Sequence, residues 1–275
     1  MTELQERLVR VMAALDQFLR SHGIPYYMLG GTMLGAMRHK GFIPWDDDID
    51  IGIPREDYER FLKLAPSELS DPYIVRHVSL ESNVPYAFAH IEDRSTTCIE
   101  NRRDKDRYAG GVYIEIFPLD GCPDALWRQK LEYARIRLYK KLLYGLIMDY
   151  GEKHRVFYKA AVIKSIRRCF TIDQITRGLD RYIASFGLDT SRCICNKLGH
   201  WGIRENIPVK VFGTPKEYEF EGHRFLGVGN PEYYLTSLYG PDYMIPPSAE
   251  EQEQGKHPVS FLDLSLPYEE YRKNR

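Results

Sequence analysis

The stretch GFIPWDDDIDIGIP, residues 41–54, decides how the rest of this sequence is interpreted. Aspartates stand at positions 46, 47, 48 and 50, and the alternation of acid and aliphatic residues predicts a strand over 48–53. Since successive strand side chains point to opposite faces, Asp48 and Asp50 are predicted to share one face. Like charges this close oppose each other's ionisation unless a cation is shared among them. The stretch therefore predicts a cation site on a sheet.

Two further features favour a metal site over a solvated acidic turn, the simpler interpretation of an aspartate pair. Upstream, LGGT at 29–32 places paired glycines between a predicted strand at 26–29 and a helix that starts at Thr32, where backbone amides can approach a phosphate. Downstream, YIEIFPLDG at 113–121 places Glu115 between isoleucines in a predicted strand at 112–117, where burial is costly unless the acid is paired. Converging carboxylates suit Mg²⁺ together with a substrate phosphate.

Composition sets the class of protein. The 275 residues, 43% hydrophobic and 28% charged, suffice for a full hydrophobic core. The formal charge of −1 gives no general attraction to nucleic acid, which we do not expect as a partner. Five cysteines without a CxxC pair predict reduced thiols, and no apolar run is long enough to span a membrane. We expect a cytoplasmic protein, either free or peripheral on the inner face of the membrane.

The order of predicted elements indicates an α/β (α+β) fold, a mixed sheet flanked by helices. Helical spacing predicts a helix over 3–21 and another after Pro54. Residues 124–190 read as a basic helical region, EFEGHRF as a hairpin, and PEYYLTSLYG as a short helix opened by Pro231. Further strands are predicted at 73–78, 86–92 and 96–100. We expect a catalytic core over 1–123, the helical region over 124–190, and a strand and turn region over 191–275 that completes the same domain.

The three motifs hG[GT], DhD and hEh, in this order, resemble the nucleotidyltransferase-fold superfamily. Within it, GTMLGAMRHKGFIPWDDDIDIGIPREDYERF at 31–61 and EIFPLDG at 115–121 are similar to the LicD family of phosphocholine transferases, which is related to the fukutin-type proteins. The resemblance implies a nucleotidyltransferase-like sheet and metal-dependent transfer of a phosphoalcohol group, phosphocholine first. The donor would be CDP-choline or another CDP-alcohol, and CMP would be released. The acceptor would be a sugar hydroxyl of a cell-surface glycan, such as lipopolysaccharide or teichoic acid, or of its lipid-linked precursor.

The resemblance also assigns roles to the acids. Asp48 and Asp50 would be the metal ligands, with one or two ions of Mg²⁺ or, as the alternative, Mn²⁺. Glu115 would be the third acid, acting as a further ligand or as the general base for the acceptor hydroxyl. The family usually has aspartate at this position, so the longer side chain leaves the choice between ligand and base open. Asp46 and Asp47 match the family run and are expected to bind substrate around the ion.

The remaining expected substrate-binding residues are the glycine turn, three basic residues and several aromatic ones. Gly30, Gly31 and Thr32 would face the phosphates. Arg38, His39 and Lys40 would face the diphosphate, or else complement the dipole at a helix end. His90 is a phosphate contact or a core histidine. Aromatic faces for a quaternary ammonium would come from the following residues, in this sequence: Trp45, Tyr86, Tyr108 and Trp201.

Between positions 128 and 168 the sequence has twelve Lys or Arg and three acids, which favours docking to an anionic membrane over a merely solvated helix face. Three other functions stay open. One is a nucleotidyltransferase that moves the nucleotide itself to a small hydroxyl or phospho-compound. Another is a metal-dependent glycosyltransferase, which the glycine turn and third acid fit less well. The last is a non-catalytic nucleotide- or glycan-binding module.

Overall fold

A mixed sheet of eight strands organises the chain in this computed structural model, which describes residues 1–100, 109–147, 165–248, 250, 252 and 259–273. Its strands follow the order β10-β4-β5-β2-β1-β9-β8, with β3 paired to β4, and a small separate sheet pairs β6 with β7. The strands are β1 Tyr27–Met28, β2 Asp50–Pro54, β3 Tyr73–Arg76, β4 Ala89–Glu100, β5 Gly110–Leu119, β6 Cys193–Cys195, β7 Asn206–Pro208, β8 Lys216–Phe220, β9 His223–Gly227 and β10 Val259–Asp263.

Helices flank this sheet, so the predicted fold class is confirmed. The helices are α1 Glu3–Ser21, α2 Gly30–His39, α3 Arg55–Glu68, α4 Leu126–Ile147, α5 Ile172–Ile183, α6 Val209–Phe212, α7 Pro231–Tyr239 and α8 Tyr268–Lys273, together with a 3-10 turn at Gly202–Glu205. The first helix has the predicted bounds because Thr2 and Gln5 form a capping box and its apolar residues recur at helical spacing. It buries Leu8, Met12 and Leu15 against β4 and β5.

The C-terminal part of the chain completes the main sheet. The predicted hairpin forms as β8 and β9, and β9 pairs in parallel with β1 through Met28 and Gly227. The helix predicted at Pro231 also forms, capped by the Asn230 side chain. None of the helices in the described part of the chain combines the length and the apolar character needed to cross a bilayer.

Several predicted boundaries were wrong, including the end of the strand predicted at 73–78, which is Arg76. The strands predicted at 86–92 and 96–100 are one strand, β4, with a register shift between Asp93 and Cys98, because a bulge can carry a strand past polar residues. Helix α2 starts at Gly30 with Leu29 as its N-cap, so Thr32 lies inside the helix and is not the cap. Strand β2 starts at Asp50, so Asp48 precedes it. In the described part, the helical region contains α4 and α5, and its residues 148–164 lie outside that part.

Candidate active site

The two acids at the centre of the site lie on neighbouring parallel strands at the same register. Asp50 on β2 pairs with Glu115 on β5, and the Glu115 N–H donates to the Ile49 carbonyl at 3.1 Å. Since side chains alternate along both strands, residues at one register project from one face of the sheet. The structure therefore brings two of the three predicted acids side by side from stretches 65 positions apart.

Asp50 carries a buried carboxylate oxygen without a donor. Its Oδ1 is buried and has no hydrogen-bond partner among the described residues. Burial, followed by the negative charges of Asp48 and Glu115, raises the pKa of Asp50 well above its usual range. Burial and the Asp48 charge likewise raise the pKa of Asp46. These carboxylates oppose each other's ionisation, and a bound cation would relieve that cost.

The carboxylate oxygens are suitable ligands for a divalent ion, but the described side chains do not form a complete coordination site. Carboxylate oxygens are the ligands that Mg²⁺ and Mn²⁺ prefer, and the unpartnered Asp50 oxygen has a free position for one. Within the described ranges, no group of three or more His, Cys, Asp or Glu side chains is placed to hold a metal on its own. Mg²⁺ usually keeps waters and substrate oxygens among its ligands, so a grip by two carboxylates is consistent with this finding.

The glycine turn lies directly beside the acids. Gly30 follows β1 with φ +47°, and its N–H donates to the Tyr234 hydroxyl at 3.0 Å. A Cβ on Gly31 would stand 2.7 Å from Asp46 Oδ2, so a larger residue here would displace the Asp46 carboxylate. The Thr32 hydroxyl accepts a hydrogen bond from the Asp50 N–H at 2.8 Å, which ties the start of α2 to the start of β2. The amides that open a helix are anion-binding groups, and here they adjoin the carboxylates.

His90 is clamped beside Glu115 on the adjacent strand. It pairs with Glu115 in the antiparallel register of β4 and β5, and its ring stacks between those of Tyr86 and Tyr113, with centroids 3.8 and 4.2 Å away. Its Nε2 lies 3.7 Å from Glu115 Oε1, and its Nδ1 lies 3.7 Å from Glu92 Oε1. Burial lowers the pKa of His90, but the two carboxylates outweigh burial and raise it. Tyr86 thus holds the imidazole in place.

The basic residues after α2 are placed differently from one another. Arg38 donates to the Tyr243 carbonyl at 2.9 Å, and its guanidinium stands 6.0 Å from the ring centre of Trp45, which packs on the core. Burial, followed by the Arg38 charge, lowers the pKa of His39. Lys40 extends into solvent, with its Nζ 3.3 Å from Glu219.

The other two predicted substrate contacts are Asp47 and Tyr108. Asp47 is half-buried next to Asp46, and its charge contributes to the raised pKa of Asp46. Tyr108 lies outside the described residues, so its predicted role as an aromatic contact stays a prediction.

A second wall of the site contains Glu205, which was not predicted from the sequence, and Trp201, which was predicted as an aromatic contact. Glu205 is buried at the end of the 3-10 turn, accepts a hydrogen bond from the Trp201 N–H at 3.3 Å, and contributes to the raised pKa of Asp50. Burial raises the pKa of Glu205 to about 7. The Trp201 ring packs edge-on against Tyr239, 5.0 Å between centroids. Glu205 lies in the sequence IREN, which matches no functional motif. The only nearby signal is GHWG at 199–202, whose two glycines indicate a turn.

Helix α4 also contributes a cation near this wall. The Lys140 Nζ donates to the Leu198 carbonyl at 2.6 Å. Burial lowers the pKa of Lys140, while the charges of Glu205 and Glu115 oppose that effect. Lys140 is therefore a positive charge on the inner side of α4, within electrostatic range of the carboxylates.

Part of this chain is similar to proteins of known family. Residues 23–119 match the model of the LicD/FKTN/FKRP nucleotidyltransferase domain. The lipopolysaccharide cholinephosphotransferase LicD of Haemophilus influenzae is 26% identical over 260 residues, which cover 91% of this chain and 94% of that protein. The human ribitol 5-phosphate transferase FKRP is 51% identical over 50 residues, 18% of this chain and 10% of that protein. An uncharacterized Rickettsia typhi protein is 40% identical over 144 residues, 52% of this chain and 41% of that protein.

The matched range holds the glycine turn, the aspartate run and Glu115, on which the resemblance was based, and the structure places Gly30, Asp46 and Glu115 near Asp50. The resemblance to LicD and the fukutin-type proteins is thereby confirmed: residues 23–119 of this chain match the nucleotidyltransferase domain of LicD, FKTN and FKRP.

Proposed function

We propose that this protein transfers a phosphoalcohol group, phosphocholine first, from a CDP-alcohol to a sugar hydroxyl of a glycan. The family domain and the Haemophilus relative support a phosphotransferase. The relatives named for cholinephosphate and for ribitol phosphate transfer support a phosphoalcohol group and a glycan acceptor. The observation that carries the proposal is the unpartnered, buried Asp50 oxygen at the register of Glu115 and beside the Gly30–Gly31 turn.

Asp48 and Asp50 would hold the divalent ion in this proposal. When bound, such an ion neutralises charge on the donor diphosphate. The amides at the start of α2 would bind the same phosphates, because they adjoin Asp46 and Asp50 and their dipole favours an anion. The amides would thus position the donor phosphates, and the ion held by the carboxylates would balance the phosphate charge.

Glu115 is suited to take the proton of the acceptor. About a quarter of its side chain (26%) is exposed, whereas the Asp50 Oδ1 is closed off from solvent, so an incoming hydroxyl reaches Glu115 first. The acceptor oxygen forms a bond to phosphorus, the bond from phosphorus to the bridging oxygen of CMP breaks, and the hydroxyl proton passes to the Glu115 carboxylate. His90, fixed between two tyrosine rings, stands with its Nε2 3.7 Å from the Glu115 carboxylate.

The test is incubation with CDP-choline, CDP-ethanolamine, CDP-glycerol and CDP-ribitol in the presence of Mg²⁺ or Mn²⁺, with CMP as the measured product. Without a glycan, water takes the place of the acceptor, so slow hydrolysis releases CMP and the free phosphoalcohol. We expect CMP from one or two of these donors, no CMP in EDTA, and at least about a 10²-fold loss in Asp50→Asn. Asp189→Asn, at an exposed aspartate, is the matched control and should retain full turnover. Pyrophosphate formed from CTP and a phosphoalcohol, without CMP from any donor, would identify the nucleotidyltransferase instead.

A second measurement separates the two roles of Glu115. If Glu115 is the base, Glu115→Gln loses transfer while the concentration of Mg²⁺ at half-maximal donor binding stays unchanged, and Glu115→Asp recovers part of the rate. If Glu115→Gln raises that Mg²⁺ concentration as much as Asp50→Asn does, Glu115 is a ligand and the proposed base is wrong.

A further inference from the structure

Helix α4 carries apolar side chains on two opposite faces. Its inner face buries Tyr133, Ile136 and Leu143 in the protein. On the outer face, Trp127, Leu131 and Leu138 are 64%, 53% and 58% exposed. The outer three are separated by four and seven positions, so at 3.6 residues per turn they form one stripe, roughly opposite the buried face. Large exposed apolar side chains that line up in this way mark a contact surface.

Positive charges border the stripe on both sides. At 100° per residue, Arg128 and Arg135 lie along one edge, and Lys130, Arg137 and Lys141 lie along the other. The only acid in the sequence of this helix is Glu132, which is buried with its Oε1 2.5 Å from the Lys197 Nζ. The outer face of α4 therefore presents five cations and three large apolar side chains, with no carboxylate of its own helix to balance them.

We infer that this face, which we call the α4 stripe (residues 127, 131 and 138 with the cations 128, 130, 135, 137 and 141), docks onto an anionic lipid bilayer. A helix that lies in the interface inserts its apolar stripe among the acyl chains and places flanking Lys and Arg at the lipid phosphates. A tryptophan with an exposed ring is typical of that depth. Contact with a second copy of the chain is disfavoured, because two identical stripes would oppose five cations with five cations.

The inference goes beyond the proposed function, because it rests on a surface that faces away from the carboxylates. It would connect the two, since Lys140 on the inner side of the same helix contacts the 198–199 segment beside Glu205. Docking through the stripe would hold this wall of the site close to the bilayer. A phosphotransferase so placed could reach acceptors that are anchored in lipid.

The test is sedimentation of the full chain with vesicles of phosphatidylcholine alone or of phosphatidylcholine mixed with phosphatidylglycerol. We expect binding to the mixed vesicles only, weakened by salt. Replacing the apolar part (Trp127→Ser, Leu131→Ser, Leu138→Ser) should weaken binding about tenfold or more, as should replacing Arg128, Arg135 and Arg137 by Gln. The matched control replaces three similarly exposed apolar residues elsewhere, Val209→Ser, Tyr233→Ser and Ile245→Ser, and should bind like the unaltered protein.

A spectroscopic readout reports on insertion itself. Fluorescence quenching by brominated phosphatidylcholine in the mixed vesicles should be lost in Trp127→Phe, while Trp45 and Trp201 remain. Equal vesicle binding by the apolar variant and the control would overturn the inference, as would equal binding to uncharged vesicles. A change from oligomer to monomer in the apolar variant, measured by sedimentation velocity without lipid, would also overturn it. Circular dichroism checks that every variant is folded, and CMP release is not needed for any of these outcomes.

Discussion

Asp50 combines a solvent-excluded carboxylate oxygen with a lack of any hydrogen-bond donor to that oxygen in the described part of the chain. The Asp50 N–H donates to the Thr32 hydroxyl, and the charges that act on the Asp50 carboxylate are those of other acids. A carboxylate in such surroundings is destabilising when ionised unless a cation balances it. The residue thus accepts a cost in stability that only a bound ion and substrate would offset.

The first prediction follows from this cost. In the absence of divalent ions, Asp50→Asn should raise the free energy of unfolding by about 1 kcal/mol, or about 2–4 °C in Tm for a chain of this size, because it removes a buried like charge. Turnover should be lost in the same variant. Thermal unfolding in EDTA measures the first effect, with Asp189→Asn unchanged as the control. A variant that is less stable than the unaltered protein would contradict the argument.

The second prediction concerns Glu205 and pH. Burial raises its folded-state pKa to about 7, above its ordinary range. The stabilising contribution of the protonated form is therefore complete below the ordinary glutamate pKa and is lost as pH rises through about 7. Glu205→Gln does not titrate, so the Tm of the variant relative to the unaltered protein should increase between pH 5 and pH 8. The full effect is on the order of 3 kcal/mol.

Thermal unfolding in a series of buffers between pH 5 and pH 8 measures this difference. Glu232→Gln, at an exposed glutamate, is the control and should show no such trend. A Tm difference for Glu205→Gln that stays constant with pH would show that Glu205 does not titrate in this range.

At the scale of single elements, sequence patterns predicted those helices and turns that depend only on residues close together in the chain. Helix α1 and the β8–β9 hairpin have the expected positions, because a capping box and a glycine turn act within a few residues. The continuous strand β4 could not be predicted from the local sequence, because it depends on pairing with β5. Glu205 was missed for the same reason: its place in the site follows from contacts between distant segments, and no motif surrounds it.

The third prediction tests the packing of α2 against the segment that follows it. Gly35 lies where α2 packs against the segment that leads to the aspartates, and a Cβ there would stand 2.4 Å from the Gly41 carbonyl oxygen. Gly35→Ala should therefore lower the free energy of unfolding by about 1–3 kcal/mol and also reduce turnover, because residues 41–46 must shift. Gly187→Ala is the matched control, since nothing lies within 4 Å of its added Cβ. Equal Tm values for the two variants, measured by calorimetry, would refute the packing argument.

At the scale of the whole molecule, buried ion pairs hold the main sheet to the helices. Arg55, next to the end of β2, binds Asp120 through two hydrogen bonds of 2.7 and 2.8 Å and reaches Asp180 on α5 at 3.1 Å. Lys197 and Glu132, each 1% exposed, connect the segment after β6 to α4. Neither set could be predicted from the sequence, because the partners are 65 or more positions apart.

The fourth prediction uses the Lys197–Glu132 pair. Lys197→Met leaves the Glu132 carboxylate buried without its cation and should cost about 3–5 kcal/mol of unfolding free energy. The double variant Lys197→Met, Glu132→Leu should recover most of that loss, because it removes both charges and leaves apolar side chains of similar size. Chemical denaturation of both variants measures the difference. A double variant no more stable than the single one would show that the pair contributes through something other than charge.

The two-faced character of α4 has a practical consequence for anyone who handles the purified protein. A surface with large exposed apolar side chains adheres to plastic, chromatography resin and other molecules, and its cations retain acidic contaminants such as nucleic acid. Yields should improve with mild detergent during purification, and the triple serine variant of the stripe should be the better candidate for growing crystals.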